Sequence, residues 1–418
     1  MSEQGPLSTG RNRILPIIVF VFAAFLCKSW ITAVVTRSFN VWKIPQYHGY
    51  LASYYFLDYS HGFVPRALIG SIFNQLCPGT ISVNRFFLLA FFGLAIVLSI
   101  GVGAALYTIF KETQKEKRLW LILLLLYAYF NPGTYLFFGF EFGRMDMYII
   151  GLVVLYGSLR LLSPKFIFLL PLFAALCVAI HEAAMFLYVP VLLLISFLPG
   201  KDISSRQIRN VLIFSAATVV ACAAVIFAGK MNFANETYCQ IIQNNIVRNG
   251  ENPWIEISVH DVEIYSNFTY LEHIEKFFSG KGFPPYVYIR MLLTILFFLF
   301  AYAFFWKIWH KLWIGASGKR EKIKWAAALL LSLCPLLMCL IGCDYGRWFA
   351  AFTYAQYIVL FILISQYDGR FRLERSDILF CLAGIILFNA VGNAQTIAAN
   401  DLIDIISLNL QATPGFPQ

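Results

Sequence analysis

The feature that most constrains this chain is a succession of apolar runs separated by short polar connections. A helix needs about 20 apolar residues to cross the hydrocarbon of a bilayer. Eleven candidate spans meet that need approximately: 14–35, 86–110, 119–137, 145–163, 166–181, 183–199, 210–229, 286–306, 325–342, 348–366 and 377–393. The expected fold is all-α: a polytopic transmembrane helical bundle of about 11 spans, forming one membrane domain over residues 1–418. Composition agrees, since 13% of residues are charged and 60% are hydrophobic, whereas soluble domains carry about 25% charge. Arg11 and Arg13 precede the first run, and no small-residue cleavage site follows it, so the first run reads as an uncleaved span.

Orientation follows from the basic residues of short loops, which favour the cytoplasmic side. With the N-terminus in the cytoplasm and the C-terminus outside, most of the 32 Lys and Arg fall in cytoplasmic segments. Among them are Lys111, Lys115, Lys117, Arg118, Lys307, Lys311, Lys319, Arg320, Lys322 and Lys324. The +10 net charge is therefore a membrane-orientation signal and gives no reason to expect a nucleic-acid partner. The reading is of a multi-pass integral membrane protein. Two long loops lie outside, 36–85 and 230–285. Both are rich in aromatic residues, so interfacial helices are expected in these extracytoplasmic loops. Ala67–Leu76 reads as such a helix with Arg66 at its start, and 230–285 as an ordered cap.

The orientation also gathers the polar clusters on one face. The stretch Asp58-Tyr59-Ser60-His61-Gly62-Phe63-Val64-Pro65-Arg66-Ala67-Leu68-Ile69-Gly70 lies in loop 36–85. Glu141, Arg144 and Asp146 mark the turn before the 145–163 span, His181-Glu182 a later turn, and Asp344-Tyr345-Gly346-Arg347-Trp348 another. Charged groups beside membrane spans are costly and are usually kept for a pathway or a reaction. Asp58 can act as a general base toward a hydroxyl, hold a divalent cation through oxygen, cap the following helix or pair with Arg66. Arg66, Arg144 and Arg347 suit a phosphate or pyrophosphate, which guanidinium binds bidentately, and equally suit structural ion pairs. His181-Glu182-Ala183-Ala184-Met185 lacks the second histidine of the HExxH zinc motif, and no metal ligand set is assigned. A His–carboxylate pair that binds substrate or a metal, or a satisfied interhelical hydrogen bond, fits instead. Tyr345 and Trp348 suit stacking on a sugar or an aromatic belt. Cys77, Cys239 and Cys343 lie nearest the loops and leave the question of disulfides open.

The layout resembles the GT-C superfamily of glycosyltransferases: an apolar first span, a first outer loop with interfacial helices and an early Asp, then many spans. The DYSHGFVPRALIG segment, with GRMD, IHE and DYGRW, is similar in style to bacterial polytopic proteins of surface-polysaccharide loci. The resemblance implies transfer of a sugar from a polyprenyl-(pyro)phosphate donor to a glycan or lipid acceptor at the extracytoplasmic face. Asp58 is then the catalytic acid of the first loop. His61, Arg66, Glu141, Arg144, Asp146, His181, Glu182, Asp344 and Arg347 would bind phosphate or sugar. The superfamily often shows two adjacent acids in this loop, while Asp58 stands alone, so a Mg or Mn cofactor is not assigned. Membrane lipids, the polyprenyl-linked donor and the acceptor are the implied partners. The alternatives are a polysaccharide polymerase or ligase using lipid-pyrophosphate glycans, and a transporter or lipid flippase. A carrier should hold ionisable groups deep in its spans, and Lys28 is the one clear mid-span charge.

Overall fold

The computed structural model describes residues 54–76 apart from 61 and 65, then 96, 99–130, 144–198, 205–231, 244, 302–340, 345–367 and 372–392. Helix is the only regular structure among them. Among the described residues three helices are long and apolar enough to cross a membrane: Arg209–Ala228, Glu321–Leu340 and Arg347–Gln366. Shorter apolar helices include Ser99–Lys111, Pro164–Ile180 and Ala184–Phe197. The expected span 14–35 and all but the end of 286–306 lie outside the described residues, as do loop 230–285, apart from its first two residues and residue 244, and the three loop cysteines.

The chain divides into two units that alternate along the sequence: Met1–Gln114, Glu141–Glu182 and Ser205–Val262 form one, and Lys115–Phe140, Ala183–Ser204 and Glu263–Gln418 the other. In the first unit the Ser205–Met231 helix packs chiefly along Leu170–Ile180, which also meets Asp146–Leu162 and Ala67–Leu76. Only 17% of the apolar window of the Arg209–Ala228 span is buried. Leu212, Ile213, Val219, Val220 and Phe227 are exposed along it and share one face, an apolar stripe that suits a lipid environment. Ser163 starts the Pro164–Leu169 3-10 turn by accepting the Lys165 N–H, with Pro164 in the first turn where no backbone donor is needed.

The second unit is built on Tyr345–Gln366, whose span is 89% buried. Thr353 and Gln356 turn one face of it toward Ala303–Gly315. The Tyr302 and Thr353 hydroxyls pair, and the Trp309 indole N–H donates to Gln356 Oε1 at 2.7 Å. Gln356 Nε2 in turn donates to Ser332 Oγ at 2.8 Å, so each end of a buried amide is answered. Breaks in the other helices follow the prolines. Pro190, lacking an N–H and crowding the carbonyl four residues earlier, accompanies the break at Tyr188 between Ala184–Leu187 and Val189–Phe197. Pro335 likewise accompanies the change from α-helix to a 3-10 segment over Cys334–Leu340.

Candidate functional site

The Ala67–Leu76 helix has the bounds expected from sequence, and its packing explains how the Asp58 stretch is held. Gly70 faces the backbone of the Tyr54–Phe56 turn so closely that an added Cβ would lie 1.9 Å from the Leu57 carbonyl oxygen and 3.0 Å from that of Tyr54. Only glycine fits this approach. Ser71, one residue on, accepts the Tyr59 N–H at 3.0 Å while donating to the Ala67 carbonyl. Asn74, on the same helix face, donates to Asp58 Oδ2 at 3.1 Å. On the other carboxylate oxygen, Asp58 accepts the Ser60 N–H at 3.0 Å and the Ser60 hydroxyl, the local turn that Asp characteristically makes two residues ahead. Three donors thus fix a carboxylate that remains half-buried. The Tyr59 ring stacks on Phe63 at 5.1 Å. Burial pushes the Tyr59 phenol up to about 12.

Arg66 is the only described non-glycine residue with positive φ, at 63°. That left-handed conformation costs a side chain roughly 1–2 kcal/mol, and such strain persists only where surrounding contacts impose it. Here they do. Its buried guanidinium grips the Glu182 carboxylate with two donors, Nε to Oε2 at 3.1 Å and Nη2 to Oε1 at 2.6 Å. Nη1 donates to the Tyr54 hydroxyl at 2.9 Å, and the group lies over the Tyr54 ring at 5.4 Å. His181, whose extended backbone ends the Leu170–Ile180 helix, brings Nδ1 to 3.6 Å from Glu182 Oε2. Glu182 therefore stands with a permanent cation on one side and an imidazole on the other.

The Tyr54–Phe56 turn also reaches the start of the Asp146–Leu162 helix. The Tyr55 hydroxyl pairs with that of Tyr148 at 3.0 Å, and Tyr55 makes edge contacts with Phe73 and Tyr148. Asp146, fully buried, occupies the first turn of that helix, where a carboxylate complements the helix dipole. Arg144 immediately precedes this turn.

Of the residues singled out from sequence, the structure brings Arg66, His181 and Glu182 into one cluster. It holds Asp58 on the same loop–helix assembly, and that assembly meets the helix that Arg144 and Asp146 introduce. Arg347 belongs to the other unit, buried with its guanidinium 4.8 Å above the Trp348 ring. His61, Glu141 and Asp344 lie outside the described residues. Arg66, for which sequence left a phosphate or a structural ion pair open, takes the Glu182 carboxylate. Sequence reading missed Tyr54, Ser60, Gly70 and Asn74. Ser60 carried a signal, since Asp followed two residues later by Ser is a common self-bonding turn; the others act through tertiary contacts with no local pattern. Among the described residues no group of three His, Cys, Asp or Glu converges in a way that could hold a metal ion. Comparison of the chain with family models, curated proteins and solved structures finds no match.

Proposed function

We propose that this protein is a multi-pass membrane glycosyltransferase that moves a sugar from a polyprenyl-(pyro)phosphate donor to a glycan or lipid acceptor. Its reaction takes place at the extracytoplasmic face of a bacterial inner membrane, with the N-terminus in the cytoplasm and the C-terminus outside. The observation that carries the reading is the Asp58 carboxylate: fixed by three donors, half-exposed, and held on a loop that a buried Arg66–Glu182 pair pins in a strained conformation. A general base needs that combination of placement and access.

In this reaction Asp58 accepts the proton of the acceptor hydroxyl as its oxygen bonds to the anomeric carbon. The bond from that carbon to the donor phosphate oxygen breaks, and the electron pair leaves with the phosphate. Attack opposite the lipid inverts the anomeric centre. Arg66 is a positioning residue, because Glu182 takes two of its donors and Tyr54 a third. The negative charge growing on the leaving phosphate falls to Arg144, an electrostatic contribution often large in such reactions. His181 and Glu182 orient sugar hydroxyls at the edge of the cluster.

The test uses full-length protein in lipid, a labelled polyprenyl-phosphate sugar and a polyprenyl-pyrophosphate sugar as donors. Asp58→Asn keeps the size and the Ser60 contacts, loses the Asn74 bond and removes the base, so turnover is expected to fall about 10²–10⁴-fold while donor binding stays as in wild type and unfolding shifts by no more than one hydrogen bond, about 1 kcal/mol. Full turnover in Asp58→Asn would end the proposal. Wild-type protein that neither binds nor turns over either donor would shift the assignment to a carrier.

A further inference from the structure

The Ala303–Gly315 helix carries apolar side chains on two of its faces. Phe304, Phe305, Ile308, Trp309 and Leu312 are buried in the second unit. A second face bears Lys307 and Lys311, whose ammonium groups are taken up by Asp377 and Glu374. The third face presents Trp306, His310 and Trp313 at helical spacing, all exposed, with Trp313 45% and the neighbouring Ile314 66% accessible. After the turn at Gly315–Gly318 the chain enters Lys319–Ser332, the first part of a segment long and apolar enough to cross a membrane. Lys319, Lys322 and Ile323 are exposed at this entry, and the Lys322 ammonium lies 5.7 Å from the centre of the Trp313 ring. The nearby acid, Glu321, turns back to accept the Ser317 N–H and hydroxyl at 2.7 and 2.8 Å. No described carboxylate pairs with Lys319 or Lys322.

We propose that Trp306, Trp313, Ile314, Lys319, Lys322 and Ile323 form a docking surface for the headgroups of anionic phospholipids. Indole rings favour the headgroup layer, where one edge can be wet and the body apolar. A lysine stem lies along apolar surface while its ammonium reaches a phosphate. Exposed Trp and Ile alone would suit any lipid. Two cations with no carboxylate partner, beside those rings and at the mouth of a span, select for negative charge. Lys307 and Lys311 do not contribute, because their charge is spent within the protein. The proposal is independent of glycosyl transfer and rests on the second unit alone.

The experiment is native mass spectrometry of the full-length protein in a neutral detergent, titrated with phosphatidylglycerol or with phosphatidylcholine. Wild type is expected to retain phosphatidylglycerol in preference, and to lose that preference as salt is raised. Each lysine at an anionic surface is worth roughly fivefold in affinity. Lys319→Gln with Lys322→Gln should therefore weaken phosphatidylglycerol binding about 25-fold and leave phosphatidylcholine unchanged. Lys319→Arg with Lys322→Arg should restore it, and Trp313→Ala should weaken both lipids. Equal binding of the two lipids by wild type, or an undiminished preference in the glutamine variant, overturns the proposal. Displacement of the lipid by inorganic phosphate would also overturn it, by revealing a small-anion site in place of a lipid surface.

Discussion

Each unit holds a buried ion pair, and the two are built on different terms. In the second unit Asp377 is fully buried in the first turn of Arg375–Gly392, with Lys307 and Lys311 each 2.8 Å away. The same carboxylate accepts the Glu374 N–H at 2.7 Å, reaching back to the residue that begins the helix, as a capping box does. Lys307 also donates to Ser376, and Lys311 lies over the Trp120 ring. Everything there serves one purpose, joining two helices, and every backbone angle is ordinary. In the first unit Arg66 and Glu182 are 116 residues apart, neither caps a helix through the pair, and Arg66 holds a left-handed φ to make it. Burial of an ion pair is thus weak evidence of function. Strain is better evidence, because stability alone gives no reason to keep it.

The largest effect that can test this contrast comes from Asp377→Asn, which leaves the mostly buried Lys307 ammonium without its anion and Lys311 with only the solvent-open Glu374. Breaking a buried pair in this way costs about 3–5 kcal/mol, read as a lower thermal unfolding midpoint in detergent. If the cluster is purely a joint, replacing all three members (Asp377→Leu, Lys307→Met and Lys311→Met) recovers most of that loss, since well-packed apolar side chains substitute for a buried ion pair. Failure to recover would mean that the second unit needs these charges for more than cohesion. The second effect is smaller and compares two truncations. Arg66→Ala loses the pair, at a cost of about 3 kcal/mol, and keeps a left-handed residue with a Cβ. Arg66→Gly loses the same pair but adopts φ 63° freely, so it should be more stable than Arg66→Ala by about 1 kcal/mol. Equal stability of the two variants would show that Arg66 stores no strain and would erase the contrast.

Much of the helical plan was legible in sequence. The spans 145–163, 210–229, 348–366 and 377–393 correspond to Asp146–Leu162, Ser205–Met231, Tyr345–Gln366 and Arg375–Gly392, because long apolar runs report their own helices. Ala67–Leu76 was legible for the same reason, framed by Pro65-Arg66 before it. What sequence could not supply was partnership. It grouped Arg66 with His181 and Glu182 by sidedness, yet nothing local tells a guanidinium whether a phosphate or Glu182 will fill its fork. Of the expected span 286–306 only residues 302–306 are described, and the Ala303–Gly315 helix runs past its expected end. Lys307 and Lys311 read as the polar end of a span, while in the fold Asp377 and Glu374 neutralise them and let the helix continue. Asn74 reaching Asp58, and Gly70 yielding to the Leu57 carbonyl, depend on a helix folding back on its own loop, which no periodicity encodes.

That neutralisation has an exposed edge, where the smallest effect is expected. Glu374 lies 3.2 Å from Lys311 and is open to solvent. The hydrogen bond and charge of Lys311 hold its carboxyl below the ordinary carboxylate range, outweighing the opposing effects of burial and of the Asp377 charge. A carboxyl whose folded pKa is depressed adds stability above its unfolded pKa, and that stability fades as the pH falls through the folded value. Wild type should therefore be slightly more stable than Glu374→Gln near neutrality, with the two unfolding curves converging as the pH drops below the ordinary carboxylate range. Because the pair is exposed, added salt should shrink the difference even at neutral pH. A difference that survives both acid and salt would mean that the Glu374 side chain acts through neutral contacts, such as the bond it accepts from Ser376, rather than through its charge on Lys311.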